Sequence, residues 1–411
     1  MTEKIYYKFI QFALGTYEGK EFLDGSALNG FDWQRFYAFA KKQTLEGIIM
    51  EGISRLPKAV APKQSLLMNW FMMSQNISRQ NMMLNAATAE IYNKVKAAGY
   101  DCCILKGQAN AAMYANPAAR TPGDVDMWVN ASREEIRQLA QTLANEKGRI
   151  DEESYNHIAL TTNDISVELH YTPGFMANFT YNRRLQQWFR KSIDAQCRNM
   201  IALPDETGEV AAPTADFNAV YQLYHLYHHY FYEGVGLRQV VDYYYVILNF
   251  ELGVLNCRLR DEELKNCELE SQNSKLNNSK SAKPTIQNSK LRTQNSLTRL
   301  GLWHFAGAMM YVLHEVLGLP KEKMIAPMDK KRGEMLLNDI LCGGNFGHHD
   351  ERHAWGRDTY DGNGFKHGAL GHNLLRLHRD LRLLKYYPSE ALSEPIFRLW
   401  HYYWRWKIHQ L

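Results

Sequence analysis

The chain has 411 residues, of which 45% are hydrophobic, and 48 lysines and arginines against 44 acids give it a net charge of only +4. This composition excludes fully disordered, collagen-like and coiled-coil proteins, and its length suits roughly two to three domains. The small net charge gives no electrostatic reason to expect a dedicated nucleic-acid binder. The sequence contains no apolar run of membrane-spanning length, no recognisable secretion signal and no C-x-x-C pair. We therefore expect a reduced, cytoplasmic protein that does not associate with membranes.

Residues 1–98 are predicted to form an N-terminal helical region. Four large apolar residues recur every seven positions, namely Trp70, Ile77, Leu84 and Ile91. This spacing is typical of the buried stripe of a long amphipathic helix. Gly99 follows the stripe and is predicted to end that helix.

Residues 99–205 are predicted to form a small α/β core. Its first two elements are strands over 102–105 and 125–129. A helix then begins at a Ser132-x-x-Glu135 capping box and ends near Gly148. A hairpin of strands 157–161 and 165–171 follows. The fold class we expect is therefore α+β, with a small mixed sheet flanked by helical regions on both sides.

The rest of the chain is predicted to be helical, in two segments, 206–255 and 298–411. Between them, residues 256–297 repeat a polar Gln-Asn-Ser element, and such a segment cannot bury enough apolar surface to offset its ordering entropy. We predict that 256–297 is a disordered insertion. A loop rich in glycine and histidine is predicted over 342–364, followed by a terminal helical region with Trp400, Trp404 and Trp406.

Two acids follow a glycine turn at the second predicted strand. Side chains alternate along a strand, so Asp124 and Asp126 point the same way while Val125 and Met127 enter the core. Two carboxylates so placed repel each other unless a cation lies between them, and oxygen ligands of this kind suit Mg²⁺. Glu168 has matching polarity on the last predicted strand and can supply a third carboxylate. Three such acids are what two-metal phosphoryl or nucleotidyl transfer requires.

Basic residues near these acids suit the phosphates of a nucleotide. Gly107 allows close approach of a phosphate to the backbone, Lys106 supplies a point charge, and Arg120 can add a second cation. Plainer roles remain open for each of these residues. Lys106 can form a salt bridge to the same acids, Arg120 can be a structural ion-pair partner, and Glu168 can belong to an ion pair on the hairpin face.

The set of motifs resembles the nucleotidyltransferase superfamily with the polymerase-β-type fold, and most closely a bacterial family of uncharacterised nucleotidyltransferase-like proteins. The matching residues are Leu105-Lys106-Gly107, Tyr114, Arg120, Asp124-Val125-Asp126 and Glu168-Leu169-His170, followed by His225, His228, Gly234-Val235-Gly236-Leu237-Arg238 and Asp242. One position departs from the superfamily, which usually carries Gly-Ser or Gly-Gly where this chain has Lys106-Gly107-Gln108.

The resemblance implies an enzyme that transfers a nucleoside monophosphate from an NTP to an acceptor hydroxyl and releases pyrophosphate. Asp124, Asp126 and Glu168 would be the catalytic residues and the ligands of two Mg²⁺ ions, which Mn²⁺ can replace. The phosphates would be held by Lys106, Gly107, Arg120 and Arg238, with His170 and Asp242 in support. A small-molecule acceptor is favoured over tRNA or protein because the net charge is low and no basic stripe is visible.

Alternatives remain open at several residues. Arg238 and Asp242 lie four positions apart and can simply pair on one helix face. His170 can orient Glu168, contact substrate or be an ordinary strand histidine.

Two other functions remain open for the whole protein. A nucleotide-binding or regulatory module that has lost turnover would explain the missing serine after Gly107. A metal-dependent phosphohydrolase would instead use His349 and Asp350 with the helix histidines, which are His225, His228 and His229.

Overall fold

A computed structural model of the chain describes residues 2–145, 148–255, 286–349 and 368–409. The N-terminal helices are α1 (Thr2–Leu14), α2 (Lys20–Leu23), α3 (Trp33–Gln43), α4 (Glu46–Ile53) and α5 (Gln64–Ala97). The predicted heptad stripe is confirmed, because its four residues are all buried on α5. Among the described helices, none is long and apolar enough to cross a membrane.

The centre of the chain forms a mixed sheet, as predicted, with five strands where the sequence indicates four. Its strands are β1 (Cys102–Ile104), β2 (Val125–Val129), β3 (Gly148–Glu153), β4 (His157–Thr162) and β5 (Ile165–His170), in the order β1-β2-β5-β4-β3. Only β2 and β5 are parallel neighbours; the other pairs are antiparallel. This parallel pairing sets Asp126 directly opposite Glu168.

Local sequence chemistry explains the elements around the sheet. The capping box is present, since the Ser132 amide donates to Glu135 at 2.7 Å and the Glu135 amide donates to the Ser132 hydroxyl at 3.3 Å. It starts α7 (Arg133–Asn145). The β4–β5 hairpin turns at Asn163 and Asp164, which have φ angles of 49° and 61°. Asn and Asp tolerate this left-handed conformation better than other residues with side chains.

Two further helices and a second, smaller sheet belong to this region. They are α6 (Gln108–Ala111), α8 (Phe179–Arg198), and the antiparallel pair β6 (Met200–Ala202) and β7 (Glu209–Ala211). Neither β3 nor the β6–β7 pair follows from the sequence pattern. The β3 strand is almost wholly exposed and charged, so it lacks the apolar alternation on which a strand prediction depends.

The C-terminal part is helical, as predicted. Its helices are α9 (Ala215–Tyr232), α10 (Leu237–Leu248), α11 (Ile286–Arg299), α12 (Trp303–Leu317), α13 (Lys330–Gly343), α14 (Gly368–Leu383) and α15 (Pro388–His409). Helix α9 packs over the sheet, where the Gln222 amide donates to the Leu105 carbonyl at 3.1 Å and Phe217 stacks on Trp128. Buried hydrophobic residues from all three regions belong to one continuous core.

The structure differs from the predicted disordered insertion over its last third. Residues 256–285 lie outside the described part, but α11 begins at Ile286, so the prediction of disorder is wrong for 286–297. Ser289, Thr293 and Leu297 are buried at a spacing of four residues on this helix. Two of these residues are small and polar, which explains why hydrophobicity gave no signal for the helix.

Candidate active site

Three carboxylates converge where β2 and β5 run side by side. Asp124 directly precedes β2, Asp126 lies on β2, and Glu168 lies on β5 opposite Asp126. One carboxylate oxygen from each of them lies within 4.8 Å of the others. Asp126 is fully buried. Like charges at such distances require positive charge nearby, because a buried carboxylate cannot rely on water to stabilise it.

Lys106 and His170 supply part of that positive charge. The Lys106 ammonium lies 3.1 Å from Asp126 Oδ2, so the salt bridge that the sequence left open as an alternative is present. His170 Nε2 lies 3.1 Å from Asp126 Oδ1 and 3.1 Å from Glu168 Oε2. His170 therefore bridges two of the three carboxylates and holds them in place.

The pKa values in this cluster follow from the same contacts. Burial alone would lower the pKa of His170, but its bonds to Asp126 and Glu168 raise it to about 9. Burial would raise the pKa of Glu168, yet the bond from His170 and the nearby cations lower it. For Lys106 the effect of burial is outweighed by the charges of the acids, and its pKa is raised. At neutral pH the cluster therefore holds an anionic Glu168 beside two cations.

His157 is a member of this cluster that sequence reasoning missed. It lies on β4 directly opposite His170, and its Nε2 atom lies 3.5 Å from Glu168 Oε1. Burial and the neighbouring His170 lower the pKa of His157 to about 4, so its imidazole is neutral. The hairpin turn at 163–164 fixes the register that pairs His157 with His170. The sequence therefore contained enough information to place His157 next to His170, because the position of the turn sets this register.

Gly107 occupies a position that only glycine fits well. Its φ and ψ angles are 63° and −116°, and a Cβ atom there would lie 3.1 Å from the carbonyl oxygen of Asp124. A residue with a side chain would be strained in this backbone conformation and would press on the segment that carries Asp124. Gly107 thus allows β1 to turn into α6 close to the acids.

A buried ion pair joins the loop before β2 to α10. The Arg120 guanidinium donates to both oxygens of Asp242, from Nε at 2.7 Å and from Nη2 at 2.9 Å. The Tyr114 hydroxyl donates to Asp242 Oδ1 at 2.6 Å. Burial raises the pKa of Asp242, but the Arg120 charge outweighs this and holds the pKa below its usual value.

Arg238 does not form the helix-face pair with Asp242 that its spacing allows. No such ion pair occurs among the described residues; instead, Arg238 Nη1 donates to the Thr121 carbonyl at 2.9 Å. Asp242 is pulled to Arg120 because that guanidinium approaches it with two parallel donors, the stronger geometry. Because Asp242 balances the charge of Arg120 alone, the positive charge of Arg238 remains on this wall of the site.

Both arginines carry unused donors. Within the described part of the chain, Arg120 Nη1 and Arg238 Nε are buried and have no hydrogen-bond partner. Both residues line the same cavity of about 510 Å³ as Lys106, Asp124 and the other acids. A buried donor without a partner costs free energy, so these two N–H groups are well suited to an anionic ligand.

The opposite wall of the cavity comes from α9 and the loop after α13. His225 Nε2 and His229 Nε2 lie 3.0 Å apart, and His229 Nδ1 lies 2.9 Å from Glu233. Phe346 and His348 also line the cavity. Groups of three metal-ligating residues in the described part include none of these histidines. Asp350, which the phosphohydrolase alternative needs, lies outside the described residues.

Gln108 does not replace the superfamily's serine in the cavity. It is 2% exposed, and its amide donates to the side-chain oxygens of Asn81 and Asn85 on α5. Gln108 therefore turns away from the acids and towards the N-terminal helices.

Comparison with known proteins identifies the family of the chain. A family model described as an uncharacterised nucleotidyltransferase matches residues 29–274, more than half of the chain. The chain belongs to this nucleotidyltransferase family. A solved structure of an antigenic nucleotidyltransferase-like protein from Paracoccidioides brasiliensis is similar at 14% identity, with a TM-score of 0.29, over 44% of this chain and 90% of that one. No curated protein matches the sequence.

The family match includes every residue that the sequence analysis assigned to the site. The structure places all of these residues on the lining of one cavity, namely Lys106, Gly107, Arg120, Asp124, Asp126, Glu168, His170, Arg238 and Asp242.

Proposed function

We propose that this protein is a divalent-cation-dependent nucleotidyltransferase that moves a nucleoside monophosphate from an NTP to an acceptor hydroxyl and releases pyrophosphate. The observation that carries the proposal is the convergence of Asp124, Asp126 and Glu168, with one oxygen of each within 4.8 Å. Oxygen-only donor sets of this kind favour Mg²⁺, and Mn²⁺ suits them as well.

The residues present fit such a cation. Asp126 Oδ2 is buried and has no hydrogen bond of good geometry among the described residues, although the Lys106 ammonium lies 3.1 Å away. Asp124, Asp126 and Glu168 would hold the ions. When bound, divalent cations activate the attacking hydroxyl and neutralise charge on the transferring phosphoryl group. His170 keeps Asp126 and Glu168 at the separation that shared ligation needs.

The basic residues would bind the triphosphate. The unused donors of Arg120 and Arg238 are buried and directed by the Asp242 and Thr121 contacts, so they offer fixed N–H groups to phosphate oxygens. Lys106, whose ammonium lies 3.1 Å from Asp126, adds a positive charge next to the acids. Gly107 lets the backbone approach the phosphates without a side chain in the way.

The acceptor that we propose is a small molecule. The cavity of about 510 Å³ lies between the sheet and α9, and its volume falls in the range of roughly 300–1,000 Å³ that small-ligand pockets occupy.

An acceptor screen with NTPs labelled at the α-phosphate tests the proposal. We expect label to enter an acceptor with wild-type protein and Mg²⁺, and the rate to fall by at least about a hundredfold in Asp126→Asn, since the lost charge acts on the transition state. Glu334→Gln is the matched control, because it makes the same change at an exposed residue of α13. Equal incorporation by Asp126→Asn would reject the proposed site.

A second candidate is a nucleotide-binding module without turnover. The observation in its favour is the position of Gln108, which faces α5 and leaves no hydroxyl next to Gly107. This candidate predicts that the protein binds NTP in the presence of Mg²⁺ but releases no pyrophosphate, whichever acceptor is added. Pyrophosphate release that depends on Asp126 would exclude it.

A further inference from the structure

Two histidines lie beside the acids on the same face of the sheet. His170 and Glu168 are two residues apart on β5, and β4 pairs His157 directly with His170. Because side chains two residues apart on a strand, and directly paired residues on neighbouring strands, share a face, these three side chains point the same way. One ligand atom of each lies within 4.8 Å of the others.

The distances from each histidine to the Glu168 carboxylate suit ligands of one ion. Metal bonds to histidine nitrogen and carboxylate oxygen are about 2.0–2.2 Å long, so neighbouring ligands at octahedral or tetrahedral angles lie roughly 2.8–3.6 Å apart. His170 Nε2 lies 3.1 Å from Glu168 Oε2, and His157 Nε2 lies 3.5 Å from Glu168 Oε1. Asp126 Oδ1, 3.1 Å from His170 Nε2, is within the same range.

We propose that His157, Glu168 and His170 form a second cation position in the cleft, one that selects a transition-metal ion such as Zn²⁺, Mn²⁺ or Co²⁺ over Mg²⁺. Two imidazoles and one carboxylate leave coordination positions open, which is typical of reactive metal centres. Imidazole nitrogen binds these ions well and Mg²⁺ poorly. The inference rests on the proposed function for its role in the reaction, since Glu168 belongs to both donor sets.

Neither histidine is blocked from binding an ion. The Asn156 amide nitrogen lies 3.4 Å from His170 Nδ1, and binding of an ion through His170 Nε2 would release the proton that this nitrogen shares with Asp126 and Glu168. Within the described part of the chain, His157 Nδ1 is buried without a partner, so nothing there competes for rotation of its ring towards an ion. Both rings line the cavity, which gives an ion access to them.

The cleft would then hold two cation positions that share Glu168 but differ in their other ligands, and each would bind a different ion. The oxygen-only set of Asp124, Asp126 and Glu168 would take the ion that accompanies the triphosphate. The position with nitrogen ligands would keep its ion in the absence of nucleotide, because transition-metal ions bind such ligands more tightly than Mg²⁺ binds carboxylates. Binding of a metal ion in the absence of nucleotide can therefore be measured separately from the reaction.

The test uses full-length protein, freed of metal with a chelator and titrated with Co²⁺ in the absence of nucleotide. We expect one equivalent to bind with a visible absorption band that reports nitrogen ligation, and tenfold excess Mg²⁺ to leave the band in place. His157→Ala should weaken binding at least tenfold and remove or shift the band. His314→Ala, a change on α12 outside the cavity, should leave both unchanged.

His157→Gln serves as a second variant if His157→Ala unfolds, and urea unfolding checks both. Co²⁺ affinity and spectrum that are unchanged in a folded His157 variant would overturn the inference, as would wild-type protein that binds no Co²⁺. Failure of the proposed function is a separate result. It would appear as absent NTP turnover in protein that still shows the Co²⁺ band.

Discussion

The buried ion pair between Arg120 and Asp242 makes a strong prediction about stability. Asp242 accepts two hydrogen bonds from Arg120 and one from the Tyr114 hydroxyl. Asp242→Asn preserves the shape of the side chain but removes its charge. Because Arg120 is only 3% exposed, its guanidinium would then remain buried beside Arg238 without a counter-ion.

The expected loss of unfolding free energy is about 3–5 kcal/mol, the usual cost of removing one partner from a buried ion pair. Glu334→Gln on α13 makes the same chemical change in an exposed ion pair. The Lys330 ammonium and the Glu334 carboxylate of that pair lie 3.8 Å apart. An exposed pair contributes about 0–1 kcal/mol, so this control should change stability little.

Urea unfolding followed by circular dichroism measures both values. The double variant Arg120→Met/Asp242→Leu should lose less stability than Asp242→Asn alone, because apolar replacement of a whole buried pair is often neutral. A loss below about 1 kcal/mol in Asp242→Asn would refute the reasoning, since it would mean that water or another group satisfies Arg120.

Three further predictions concern backbone, charge and capping. Gly107→Ala should lower the free energy of unfolding, measured with urea, by at least about 1–2 kcal/mol, because alanine is strained at the positive φ of this position. Gly343→Ala is the control and should be neutral or stabilising, because no other described part of the chain lies within 4 Å of the added Cβ. Equal effects of the two substitutions would contradict this prediction. Burial raises the pKa of Glu390 to about 7, so its contribution to stability is fully present below about pH 4.5 and is lost as pH rises through 7. The stability of Glu390→Gln relative to wild type should therefore rise by up to about 3 kcal/mol between pH 5 and 8, and a constant difference would contradict it. Ser132→Ala should cost about 1 kcal/mol through loss of the cap, and no change would show that the cap is dispensable.

The parts of the site that sequence predicts are those set by local rules. The alternation along β2 places Asp124 and Asp126 on one side, and the turn at 163–164 sets the β4–β5 hairpin. Matching polarity then identifies Glu168 as the third acid. Its position opposite Asp126 depends on a parallel pairing of β2 with β5, which no local pattern in the sequence predicts.

Other features depend on contacts that local spacing cannot reveal. Asp242 lies four residues from Arg238 but pairs with Arg120, which is 122 positions away in the sequence. Helical spacing predicts Arg238 as the partner of Asp242. Arg120 is the actual partner because its guanidinium donates two hydrogen bonds to the carboxylate. His157 was missed for a different reason, because the hairpin register that pairs it with His170 was available but was not applied.

The helix α11 shows the limit of composition as a guide. Its segment is polar and repeats a Gln-Asn-Ser element, which favours disorder on compositional grounds. Yet Arg292 pairs with Asp216 at 2.8 Å, and the Gln294 amide donates to the Ile325 carbonyl at 2.9 Å. Polar contacts to neighbouring elements stabilise this helix where hydrophobic periodicity is weak.

Calorimetric titration with a non-hydrolysable NTP analogue tests the central claim most directly, which is that the three carboxylates hold a divalent cation for a triphosphate. We predict that wild-type protein binds the analogue only with Mg²⁺ or Mn²⁺, and that Asp124→Asn weakens this binding at least about tenfold, since one charged ligand is lost. Binding of equal affinity in the presence of a chelator, or in Asp124→Asn, would contradict the account.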